Sequence, residues 1–172
     1  MDSLAATAVM LFCGALLIYA ALHDLVARTI PDAVPILLAA SGVLLHVLSG
    51  NLLWPILTSA LVAGIGALLF WWRLMGGGDV KLLAAVALLL PPTEVLPAIA
   101  AIAIAGGVLA LLFLLLRPWL RGRRIRPAGR SASLLHRTLA AEAWRIRRGG
   151  PLPYAVAIAA GALFTGISTG VG

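Results

Sequence analysis

Acidic residues and cysteine are what this chain has least of. Six of its 172 residues are Asp or Glu, against thirteen Lys or Arg, and charged residues of both signs amount to 11%. A soluble domain carries roughly 25% charged residues, so the composition argues against an ordinary soluble fold. Cys13 stands alone, which excludes an internal disulfide and a cysteine-based zinc site. His23, His46 and His136 form no ligand constellation in the sequence, so neither a metal nor any other cofactor is implied. A basic N-terminal region is also missing. Met1-Asp2-Ser3 leads straight into an apolar run, which is therefore expected to be a retained helix rather than a cleaved signal peptide.

What is abundant is apolar surface: 62% of residues are hydrophobic and the mean hydropathy is +1.08. One soluble core of this size does not need so much. Six apolar segments can be drawn, at 4–22, 33–49, 52–72, 80–92, 95–116 and 152–171. A helix needs about 20 residues to cross the hydrocarbon layer. The expected fold is therefore all-α, a polytopic membrane protein of about six transmembrane helices in one domain over residues 1–172. The fourth segment is short. Only Val80 to Leu90 precede Pro91-Pro92, and at about 1.5 Å per residue that covers roughly half a bilayer.

The basic residues give an orientation. With six crossings, Arg28, Arg73, Lys81 and the ten arginines of 117–150 fall on one side, and the other side has no Lys or Arg. The positive-inside rule places that basic side in the cytoplasm and both termini outside. Topology accounts for the net charge of +7 without a nucleic-acid partner. The stretch 117–150 reads as an Arg-rich cytoplasmic loop. Its 118–130 part is rich in Arg, Gly and Pro and reads as flexible. Its 131–148 part has the pattern of a cationic helix that would rest on anionic lipid headgroups. The plainer reading of the loop is a topology anchor.

Two carboxylates stand out against this background. Asp24 ends the first apolar segment, in Asp24-Leu25-Val26-Ala27-Arg28-Thr29-Ile30-Pro31-Asp32, and Asp79 precedes the fourth, in Gly76-Gly77-Gly78-Asp79-Val80-Lys81. Acidic groups at the edge of a membrane helix are costly and mark function. The topology brings both to the cytoplasmic depth although 55 residues separate them. Close like charges disfavour double ionisation, so such a pair shares one proton. The ionised member then takes a proton from water, while the protonated member polarises a peptide carbonyl and later protonates the leaving amine. Gly76, Gly77 and Gly78 permit unusual backbone angles and close approach of an extended substrate. Lys81 is expected to hydrogen-bond nearby carbonyls or to extend toward the interface. Simpler roles compete. Asp24 as a helix end or an i,i+4 partner of Arg28, Asp79 as an N-cap, and Asp32, after Ile30-Pro31, as the N-cap of the second helix. Glu94 reads as a solvated residue of the outer turn.

These residues resemble a family. Asp24-(x)5-Ile30-Pro31-Asp32 is similar to the first aspartate motif of type IV prepilin peptidases. Gly76-Gly77-Gly78-Asp79 running into Val80-Lys81-Leu82-Leu83-Ala84-Ala85 resembles their GxGD motif, and Gly150 to Gly161 resembles the start of their last helix. The resemblance implies a membrane aspartic endopeptidase that removes the basic leader from prepilins or pseudopilins at the cytoplasmic face, with Asp24 and Asp79 as the catalytic pair. It implies the short, peptidase-only type associated with tight-adherence pili, because the paired-cysteine region that accompanies methylation in longer members has no counterpart here. Two other readings stay open at this point: an intramembrane aspartic protease for other membrane substrates, and a non-enzymatic transport or assembly subunit. The latter expects charges deep within helices rather than at their ends.

Overall fold

A computed structural model describes residues 3–121, 134–150 and 152–169. Among these the chain is all-helical, with seven helices and no strand. They are α1 (Ser3–Ala27), α2 (Ala33–Leu48), α3 (Leu53–Trp71), α4 (Gly77–Leu89), α5 (Pro92–Arg121), α6 (Leu134–Arg148) and α7 (Tyr154–Thr169). Each of the six apolar segments contributes a helix, the structure that pairs backbone groups within one segment. Three of them, at Thr7–Ala27, Leu53–Trp71 and Pro92–Leu120, are long and apolar enough to cross a membrane by length and composition. α2 and α7 are apolar but shorter, at 16 residues each.

The fourth segment is short for a reason the tertiary structure supplies. α4, at 13 residues, is the buried centre of the molecule. It packs against α2, α3 and α7, and Leu82, Ala85, Val86, Ala87 and Leu89 are all buried. Small residues let the neighbours close in. A Cβ on Gly42 would stand 2.7 Å from the Leu88 carbonyl oxygen, and one on Gly66 would stand 2.8 Å from Val80 Cγ1. Ser59 Oγ donates to the Ala84 carbonyl at 2.9 Å. On the opposite side α5 packs along α7, so closely that a Cβ on Gly161 would lie 2.5 Å from the Ile102 backbone nitrogen. The outward faces carry Leu61, Ile65, Ile104, Leu111 and Leu115, all exposed. That is the inverse of a soluble surface and suits lipid.

The polar stretch 117–150 is helical at both of its described ends. α5 runs on through Arg117 and Pro118 to Arg121, past the 116 limit of its apolar segment. α6 then forms within the stretch that has the cationic-helix pattern. The flexible reading of 118–130 lies mostly outside the described residues.

Candidate functional site

One wide cavity of about 830 Å³ opens where α1, α3, α4 and α7 end or begin. It is lined by Asp24, Arg28, Phe70, Trp71, Arg73, Leu74, Met75, Gly76, Asp79, Leu152 and Tyr154. Both aspartates singled out in the sequence share it, and the Asp24 charge acts on Asp79 across it. The wall is otherwise mostly apolar, with two guanidiniums.

Asp24 lies in the last turn of α1 and is 7% exposed, one of two buried polar residues among those described. It forms neither the helix end nor the Arg28 pair that the sequence allows. Its carboxylate Oδ2 accepts the Ala155 backbone N–H at 3.3 Å. Ala155 belongs to the first turn of α7, where N–H groups have no partner within the helix. Pro153, fully buried, fixes the approach of that turn. Arg28 turns instead to α6: its Nη2 is 2.6 Å from Glu142 Oε2. Glu142 also pairs with Arg145 on its own helix, and Arg145 donates to the Leu25 carbonyl at 2.9 Å.

Asp79 occupies the first turn of α4, and the N-cap is Gly76 rather than Asp79. The Asp79 carboxylate lies against Gly76 at the start of the helix. The glycine turn works by space and not by unusual angles. Gly76 sits at φ −73°, and the left-handed glycines of the described chain are Gly50 and Gly149. A Cβ on Gly76 would fall 2.8 Å from Asp79 Oδ2. On Gly77 it would meet Phe70, and on Gly78 it would meet Ile30, both at 3.4 Å. Backbone strain does occur at the rim, on arginines. Among the described residues, Arg28 at φ 57° and Arg73 at φ 59° are the non-glycine residues with positive φ, and both line the cavity. Strained residues persist where surrounding structure holds them and tend to gather at functional sites.

Asp32 and Lys81 take specific partners. Asp32 stands at the N-cap of α2 but makes no capping hydrogen bond. Its carboxylate meets Lys81 Nζ at 2.7 Å in an exposed pair. Of the two roles expected for Lys81, the exposed pair agrees with the outward-reaching one. The residues that sequence reasoning missed are Glu142, an acidic residue inside an arginine-rich stretch, and the Ala155 N–H, which no side-chain pattern advertises. The isolated carboxylate among the arginines of 134–148 was the available signal for Glu142. Among the described residues no group of His, Cys, Asp and Glu is arranged to hold a metal.

A family model for the type IV leader peptidase family matches residues 11–111. The match spans both aspartates and the glycine turn and stops short of α6 and α7. No curated protein matches, and no solved structure does.

Proposed function

Because the chain belongs to the type IV leader peptidase family, and so is a peptidase with membrane-type helices, we propose that it is an aspartic endopeptidase that removes the basic leader of prepilins or pseudopilins at the cytoplasmic face of the inner membrane. The observation that carries this reading is that Asp24 and Asp79, 55 residues apart, line the same cavity. The ionised member of the pair takes a proton from water as the water oxygen bonds to the scissile carbonyl carbon. The protonated member hydrogen-bonds the carbonyl and gives its proton to the leaving nitrogen as the C–N bond breaks. The pair retains one proton, now on the other carboxylate.

The rest of the wall suits such a substrate. A leader junction is a basic stretch followed by an apolar helix. Phe70, Trp71, Leu74, Met75 and Leu152 offer the apolar part of the wall, and the two carboxylates offer the charge. The glycine turn leaves room for an extended chain to lie beside Asp79. Anionic lipid headgroups are the natural neighbours of the arginines, and the net charge needs no nucleic acid.

The test is leader removal from a co-expressed pilin-like substrate in membranes, normalised to enzyme abundance. Asp24→Asn and Asp79→Asn should each abolish processing while the protein still inserts. Processing by either variant at a rate near wild type removes the aspartate pair from consideration.

A further inference from the structure

We infer that the first turn of α7 is a working part of the proposed catalytic site, with the Ala155 N–H as the group that holds the Asp24 carboxylate in its ionised, aimed form. The inference rests on the aspartic-pair reading above. It concerns a segment beyond residues 11–111, the part of the chain that the family match covers.

The geometry has three parts. Asp24 is 7% exposed, so protein donors weigh heavily in its orientation. The donor within reach is the Ala155 N–H, 3.3 Å from Oδ2, at a helix N-terminus where the aligned peptide dipoles favour negative charge. The turn itself cannot drift. Ala155 has no exposed surface, and Pro153 and Ile158 are fully buried. α7 is packed along both α1 and α5, with Gly161 closed onto Ile102. A hydrogen bond donated to a carboxylate stabilises its ionised state over its protonated state. In a pair that shares one proton, this donor sets how readily the first proton leaves.

Among the described residues, several charged or titratable groups lie near Asp24, with His23 beside it in sequence. Arg28 at the end of α1, and Glu142 and Arg145 on α6, lie within electrostatic reach of it. Asp79 on α4, Tyr154 on α7 and Arg73 after α3 line the same cavity. On α2, His46 sits in the last turn, at the far end of that helix, and Asp32, at its start, is paired with Lys81. None of these donates a hydrogen bond to Asp24 in the way that Ala155 does. Loss of the N–H should therefore change protonation of the pair without changing its net charge environment.

The experiment replaces Ala155 by its α-hydroxy analogue, lactic acid, through nonsense suppression. This puts an ester oxygen where the N–H was and adds no bulk. Ala155→Gly keeps the N–H and serves as the conservative partner. Leader cleavage, as kcat/KM against pH, is measured for both in membranes. The expected result is that the acid limb of the ester variant moves to higher pH by about one unit, a normal size for one hydrogen bond to a charged group. Activity returns toward wild type above that limb, and Ala155→Gly keeps the wild-type limb. An ester variant whose acid limb is unmoved overturns the inference, whether or not its plateau falls, because a merely structural role lowers the plateau alone. Asp24→Asn in the same assay separates the two readings. If it cleaves, the catalytic pair itself is wrong. If it is inactive while the ester limb is unmoved, only the role of α7 falls.

Discussion

Arg28 and Glu142 form an ion pair at 2.6 Å across 114 residues of sequence. The pair fastens the arginine-rich helix α6 to the end of α1, four residues from Asp24. Both side chains are largely buried, at 16% and 13% exposure, and Arg145 completes the cluster. Removing one member of a buried pair strands the charge of the others. Glu142→Gln should therefore lower stability by roughly 1–3 kcal/mol, read as an earlier thermal transition in detergent. An unchanged transition would mean that α6 is held by its apolar contacts alone.

Lys81 and Asp32 make the contrasting case. Their pair is exposed, at 59% and 70%, and exposed pairs contribute about 0–1 kcal/mol. Lys81→Gln and Asp32→Asn should each process leader at close to the wild-type rate, with stability little changed. A severe loss of cleavage in either would assign the pair a role in the site that its position does not suggest.

The glycine turn predicts an order of sensitivity. Gly76→Ala places a methyl 2.8 Å from Asp79 Oδ2. The carboxylate has to rotate away, at little cost to folding, since Gly76 already has an ordinary φ. Cleavage should fall by roughly ten- to a hundredfold, the scale for misplacing a catalytic group, while protein abundance holds. Gly78→Ala meets only Ile30 at 3.4 Å and should be milder. Equal activities for the two variants would show that crowding at the carboxylate does not matter.

Gly161 tests the packing that seats α7. A Cβ there would strike the Ile102 backbone, which cannot rotate aside. Gly161→Ala should cost about 1–3 kcal/mol by overpacking, measured as loss of thermal stability, and should depress cleavage through the displaced first turn of α7. Gly107→Ala, where nothing lies within 4 Å of the added methyl, is the matched control and should behave as wild type.

Orientation is open to a labelling test. Arg148, exposed at the end of α6, and Glu94, in the first turn of α5, belong to opposite faces under the positive-inside arrangement. A membrane-impermeant thiol reagent applied from outside should label Glu94→Cys and spare Arg148→Cys. Cys13 is buried and should give little background. The reverse pattern inverts the proposed topology and puts the aspartates on the wrong face for leader processing.

The sequence by itself determined the helical architecture and the two carboxylates. Apolar runs of membrane length leave the backbone no alternative to helices, and a chain with so few acidic residues makes Asp24 and Asp79 conspicuous at the ends of such runs. Tertiary structure decided what those residues touch. Lys81 goes to Asp32 because the starts of α2 and α4 come side by side. Arg28 goes to Glu142 because α6 folds back against α1, and no local spacing encodes a partner 114 residues away. Gly76 keeps ordinary backbone angles, so its value is a space that exists only once Asp79 has turned toward it. The Ala155 N–H was the least legible of all. A backbone donor is common to every residue but proline, and only the docking of α7 against α1 and α5 aims this one at Asp24.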